Sequence, residues 1–169
     1  MTLPAGGTSN APETASLEAG QVTVRVPAGY CIDARSLRAT GPRQFALLAQ
    51  CDILRAGQVE GVSTLSFLTV TAVRSDDNTP LPTAQQLAAA FGPATIMRQT
   101  QRRGVLLVQL SDGGQKASRN ATPVHWRGVM RVPGHTLGLA AYSTQGGAAS
   151  DLDGRDLLLS LATNIRNAT

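Results

Sequence analysis

Val124-His-Trp-Arg-Gly-Val-Met-Arg-Val-Pro-Gly-His-Thr-Leu-Gly-Leu-Ala-Ala-Tyr142 is the stretch that decides the fold. Two runs with strand composition, Val124 to Val132 and His135 to Tyr142, flank Pro133-Gly134. Folding one onto the other pairs Met130 with Leu137, Gly128 with Leu139 and Trp126 with Ala141. One face of this hairpin is then apolar. The other carries His125, Arg127, Val129 and Arg131 opposite Tyr142, Ala140, Gly138 and Thr136. Because side chains alternate with a period of two, a one-residue slip would exchange the faces, so the pattern fixes the register. L-Pro-Gly suits a type II turn better than the primed turns of tight hairpins, which predicts a four-residue loop from Val132 to His135.

Downstream, Ser150 or Asp151 caps a final helix with Asp153 and Asp156 in its first turns, where the helix dipole favours acids. Leu157, Leu158, Leu161 and Ile165 recur at helical spacing and form its buried stripe, and Arg166 sits at the end that favours cations. Upstream, Thr95 to Gln101 and Val105 to Leu110 read as a strand pair turning at Arg102-Arg103-Gly104. Thr83 with Gln86 matches a capping box, so a helix runs to Phe91 and stops at Gly92-Pro93. Ser63 to Val73, Gln44 to Leu54 and Gln21 to Val26 read as strands, with a helical turn between Asp33 and Thr40. Residues 1–18 are rich in Gly, Ser, Thr, Pro and Ala without periodicity, the composition of a flexible leader. Residues 19–169 are then a single domain. Its class is α+β, a mainly antiparallel sheet of six to seven strands with two helices, the C-terminal one packed on the sheet.

Cys31 and Cys51 are the only cysteines, and they lie in two apolar segments. An isolated pair of this kind fits a disulfide between neighbouring strands, which implies an oxidising compartment. Two buried thiols in a cytosolic protein are the alternative, and a reactive thiol comes third. The disulfide places the protein outside the cytoplasm, in the periplasm, with its export signal removed or lying outside this sequence. In exported proteins a leader of this kind follows a cleaved signal or a lipidated cysteine. No cysteine precedes Cys31, so a lipid anchor would lie upstream of Met1.

With 169 residues, 42% hydrophobic, the chain can bury a real core. Aromatics are only 4%, so Leu, Val, Ala and Ile must build it. The net charge is +4, carried by fourteen arginines and the single Lys116. Those arginines are scattered and little interleaved with aromatics, which argues against nucleic acid as a partner. No segment has the roughly 18 consecutive apolar residues that span a bilayer as a helix.

In its last eighty residues, Thr83 to Arg166 with the Val124 to Tyr142 hairpin, the layout resembles the PsbP-like superfamily of small accessory domains. That resemblance implies a non-enzymatic binding or assembly role. The segment Pro27-Ala-Gly-Tyr-Cys-Ile-Asp33 with the later Leu47-Leu-Ala-Gln-Cys51 also resembles uncharacterised exported proteins of alphaproteobacteria, which implies no activity.

Signatures of chemistry are sparse. There is no G-x-S-x-G; Gly61-Val-Ser63-Thr-Leu fails at the fifth position. Phosphate-loop, dinucleotide, H-E-x-x-H and C-x-x-C motifs are absent. His125 and His135 fall on opposite faces of the hairpin about a strand length apart, which disfavours joint metal binding. Asp76-Asp77 reads as a turn and Asp151 with Asp153 as a helix start rather than a calcium loop. Asn120-Ala-Thr122 and Asn167-Ala-Thr169 match glycosylation acceptors, a short pattern that chance often produces. No cofactor, metal or catalytic residue is assigned. What remains is a face bearing His125, Arg127, Arg131 and Tyr142, suited to a small anion or an acidic patch of another protein. The expectation is an exported accessory domain with a non-enzymatic binding or assembly role. A hydrolase or other enzyme with an unrecognised site is the alternative.

Overall fold

The computed structural model describes residues 11–56, 65–90, 92 and 94–169. Its elements, in chain order, begin with β1 (Thr14–Leu17), β2 (Val22–Arg25), β3 (Tyr30–Ile32), β4 (Arg43–Gln50) and α1 (Cys51–Ala56). They continue with β5 (Ser66–Arg74), α2 (Ala84–Ala89), β6 (Ile96–Arg102) and β7 (Val105–Leu110). β8 (His125–Val132), β9 (His135–Ser143) and α3 (Leu152–Ala168) complete the chain. Seven strands form one antiparallel sheet in the order β3-β4-β5-β9-β8-β7-β6, and β1 and β2 pair as a separate ribbon. This is the expected α+β architecture, with the long α3 packed on the sheet.

The hairpin forms in the expected register, with Trp126 opposite Ala141, Gly128 opposite Leu139 and Met130 opposite Leu137. The strands run one pair further than the expected four-residue loop: Val132 pairs with His135, leaving only Pro133-Gly134 to turn. Gly134 adopts φ +75°, the left-handed value that the second central residue of a type II turn requires. A single glycine at that position is therefore enough to close a two-residue connection.

One side of the sheet holds the main core. Trp126, Met130, Leu137, Leu139, Leu68, Val70 and Leu48 meet Leu158, Leu161 and Ile165 of α3 there. The Trp126 indole N–H donates to the Asp151 carbonyl at 2.7 Å, tying β8 to the start of α3. Asp151 is the N-cap, its carboxylate accepting from the Leu152 N–H at 2.8 Å. On α2 both bonds of the capping box are present, between Thr83 and Gln86. The other side of the sheet carries two smaller clusters, one around Phe67 and Tyr142, the other under α2 at Val108 and Leu110.

Two expectations need correction. The strand expected to run to Leu54 ends at Gln50, and Cys51 opens the short helix α1. The apolar run Ile53-Leu54 could not by itself separate strand from helix. The expected leader also ends earlier than residue 18. Thr14–Leu17 is strand β1, Leu17 is buried, and the Pro12 carbonyl accepts from the Ile32 N–H at 2.7 Å. The strand is only four residues long, too short for its alternation to stand out from the composition around it. Residues 1–10 of the expected leader lie outside the described residues.

Candidate functional site

Pairing along β4, β5, β9 and β8 sets the second face of the sheet in rows. Arg43, Val73, Thr136 and Arg131 form the first. Phe45, Thr71, Gly138 and Val129 form the next, and Leu47, Thr69, Ala140 and Arg127 the third. The fourth brings together Ala49, Phe67 and Tyr142, with His125 beside them at the start of β8. This order explains why the face changes character along its length.

The fourth row is closed over. Phe67 stacks on Tyr142 at 5.0 Å between centroids, and His125 stacks on the same ring at 5.3 Å. Leu47, Leu54, Leu65 and Ala121 pack against this cluster. His125 is fully buried and Tyr142 nearly so. The His125 Nδ1 lies 3.0 Å from the Pro123 carbonyl, which can only accept, so Nδ1 carries the proton. Its Nε2 has no hydrogen-bond partner among the described residues. Burial holds the imidazole below its ordinary pKa, and the Arg127 charge adds to that; the Pro123 carbonyl and Asp112 oppose it. Burial likewise pushes the Tyr142 phenol up, with Arg127 pulling it back. The Arg127 guanidinium stands 5.4 Å from the Tyr142 ring centroid, a cation against an aromatic face.

The expected face is therefore divided. His125 and Tyr142 are interior groups that support Arg127 from beneath. Arg131 is committed elsewhere: its guanidinium donates to the carbonyls of Asp76, at 3.0 Å, of Asp77 and of Thr79. Asp77 in turn accepts from the Gly134 N–H at 2.7 Å, so arginine and aspartate clasp the 76–79 turn to the tip of the hairpin. Among the described residues, Arg127 is the member of the expected set that lines the open part of the face.

That open part is a groove of about 290 Å³. Thr69, Thr71, Thr136 and Gly138 lie along its floor, with Arg43 and Arg127 among its lining residues and Leu87 of α2 on one wall. Arg43 is exposed and Arg127 half-buried. Arg43 and the threonines were not singled out from sequence. The signal was there in β5, where Thr69, Thr71 and Val73 alternate with Leu68, Val70 and Ala72. Reading it needed the strand's neighbours, since threonine is common on any strand face.

Cys31 and Cys51 are joined as a disulfide, with Cα atoms 4.9 Å apart. It ties β3 to the first residue of α1. Beside it lies a larger cleft of about 590 Å³, lined by Tyr30, Gln50, Ser66, Asp153 and Ser160 among others. No histidine or cysteine lines this cleft. Burial raises the Tyr30 phenol pKa, against a hydrogen bond with Ser66.

A third polar feature is buried. Glu18 adopts φ +51° and Ala19 φ +53°, left-handed values that cost a non-glycine residue strain. The Glu18 carboxylate accepts from Arg74 Nε at 3.0 Å and lies 3.4 Å from His135 Nε2. Its backbone N–H donates to Gln44 Oε1 at 2.6 Å. His135 thus sits on the α3 side of the sheet and His125 on the other. They do not meet. Among the described residues no three His, Cys, Asp or Glu side chains converge to hold a metal. No helix of the described residues is long and apolar enough to cross a membrane.

No protein-family model matches the chain, and no curated protein matches it in sequence. Among solved structures the chain is similar to the protein Mog1, in a point-mutant form. The TM-score is 0.50 at 11% identity, over 89% of this chain and 93% of that one. That likeness concerns the fold alone.

Proposed function

We propose that this chain is an exported accessory domain that binds a partner, without catalysis, through the open face of its sheet. The observation that carries the reading is the groove over Thr69, Thr71 and Gly138. It is a recess in a face that the surrounding clusters otherwise close. Among the described residues, the face between α2 and the Phe67 cluster is lined by the polar side chains of Thr69, Thr71 and Thr136. The disulfide supports export, since such bonds persist in oxidising compartments. A PsbP-like accessory domain fits the layout of the last eighty residues.

Gly138 supplies the test. A Cβ there would meet only the Thr71 Cβ, at 3.9 Å, an ordinary contact. Gly138→Leu would therefore fill the groove floor and leave the strand in place. Cross-linked partners of the full-length protein are identified in its native host by mass spectrometry. A partner enriched by the wild type and lost with Gly138→Leu, at unchanged melting temperature, supports the reading. Identical partners for both proteins would refute it.

A further inference from the structure

We infer that β6 is a docking edge for an extended segment of a partner protein, one that carries two carboxylates four residues apart. This surface is separate from the groove over Thr69 and Gly138 and does not depend on it. Three observations carry the inference.

The first is an open sheet edge. The seven-stranded sheet ends in β3 on one side and β6 on the other. β3 has three residues, and its Ile32 N–H is taken by the Pro12 carbonyl. β6 has seven residues, and among the described residues its backbone pairs with β7 alone. In antiparallel pairing every second residue of a strand turns its N–H and C=O away from its neighbour, so the outer rim of β6 is a row of unpaired donors and acceptors. A polypeptide backbone laid alongside answers such a row residue by residue. The bulge between Ile96 and Arg98 interrupts the start of the strand and leaves Met97 exposed. The regular part, Arg98 to Arg102, is what remains for an added strand.

The second is charge. Arg98, Thr100 and Arg102 pair with Gln109, Leu107 and Val105, so they share one face of β6. Both arginines are exposed, and neither side chain has a hydrogen-bonding or ionic partner among the described residues. Arg103 at the turn is exposed as well, and its carbonyl holds the Arg166 guanidinium. Neither Asn78 to Ser111 nor Leu157 to Thr169 contains an Asp or Glu. The strand pair and the helix end beside it therefore supply cations and no acidic side chain to neutralise them.

The third is what this charge selects. Pairing β6 with a second copy of itself would bring Arg98 and Arg102 of both chains to one seam, and like charges on neighbouring strands are destabilising. Charge is a common guard on edge strands. Here the guard has one sign, so it turns away a second copy and attracts a strand that carries carboxylates. Arg98 and Arg102 stand about 13 Å apart along β6, the spacing of residues i and i+4 on one face of an added strand. Arginine pairs carboxylates bidentately, which makes each contact directional as well as electrostatic.

The probe is a fluorescein-labelled peptide, STETTTETS, whose glutamates face one way when it is extended. Binding to the full chain is followed by anisotropy and located by amide chemical shifts. The expected result is saturable binding with Kd below about 1 mM and shifts concentrated in Arg98 to Arg102. Affinity should fall about tenfold or more at high salt, because exposed charges are screened. The double variant Arg98→Glu, Arg102→Glu should weaken binding by about tenfold or more and take the lysine version, STKTTTKTS, in its place. Both positions are exposed, so a folding defect is not expected, and a thermal melt checks this. Two further peptides are N-methylated at alternate residues, one at the even positions and one at the odd. Only one of them should lose binding, because alternate amides face the edge. Equal binding of the glutamine version, no binding below about 1 mM, or shifts confined to other strands would overturn the inference. Unchanged binding of both methylated peptides, or displacement by single-stranded DNA at comparable concentration, would overturn it in favour of a patch for polyanions. Dimers that dissociate in the double arginine variant would overturn it in favour of a second copy.

Discussion

Gly154→Ala should destabilise the fold although it removes a glycine from a helix. Gly154 lies in the first turn of α3 and is buried. On propensity alone, replacing a helical glycine by alanine gains roughly 1 kcal/mol. The tertiary environment opposes this. A Cβ built on Gly154 would lie 1.8 Å from the Ala149 carbonyl oxygen and 2.7 Å from Trp126 Cδ1. Real Cβ contacts essentially never fall below 3.0 Å, so more than an ångström must be recovered from a backbone carbonyl. The turn before α3 cannot yield cheaply: the Gly154 N–H donates to the Asp151 carbonyl at 2.9 Å, and that same carbonyl holds the Trp126 indole. Overpacking of this kind costs roughly 1–3 kcal/mol or more, enough to cancel the propensity gain and reverse its sign. With the propensity gain of roughly 1 kcal/mol set against a cost at the upper end of that range, urea titration should show a net loss of about 2 kcal/mol. At about 2–4 °C per kcal/mol for a domain of this size, the melting temperature should fall by several degrees. Asn167→Ala, at an exposed position of the same helix, gives the propensity effect without the contact. If Gly154→Ala is as stabilising as Asn167→Ala, the close packing of α3 against Trp126 is not as described.

The remaining predictions are simpler. Cys31→Ser removes a crosslink spanning 20 residues, so stability should drop by roughly 3 kcal/mol on the chain-entropy account. Cys51→Ser and the double variant should match it, and alkylation of two thiols in the unreduced native protein would contradict the bond. Met130→Ala and Leu137→Ala each open a cavity in the main core and should cost roughly 2–5 kcal/mol by chemical denaturation; a loss under 1 kcal/mol would place them outside it. Burial depresses the His125 pKa from 6.5, so the unfolded chain takes up the proton first as pH falls. Its contribution to stability is whole above pH 6.5 and is lost as pH drops below that value toward the folded pKa. Melting temperature should therefore fall between pH 7.5 and 5 more steeply than in His125→Gln, and parallel pH profiles for the two would count against this. Deleting the residues after Asp156 removes Leu158, Leu161 and Ile165 from the core, so the truncated chain should lose cooperative melting.

Where periodicity was strong, the sequence alone determined the structure. The register of Val124 to Tyr142 follows from its alternation, because one slip would bury Arg127 and expose Trp126. The capping box at Thr83 and the leucine stripe of α3 are local signals, complete within a few turns of chain. The cysteine pair was legible because two thiols in apolar segments leave few alternatives. Short elements were not legible: β1 has four residues, and its pairing with β2 depends on a return turn through left-handed Glu18 and Ala19, where neither residue announces that backbone. The site was half legible. Sequence placed His125, Arg127, Arg131 and Tyr142 on one face, and so they are. Which of them meet solvent was decided by segments far away in the chain: the residues around Phe67, Leu54 and Ala121 cover His125 and Tyr142, and the 76–79 turn occupies Arg131. Arg43 comes to the groove only because β4 pairs with β5 and β5 with β9. Alternation dictates which way a side chain points from its own strand. What stands over it depends on loop closures and pairings between distant segments, whose free energy no local pattern records.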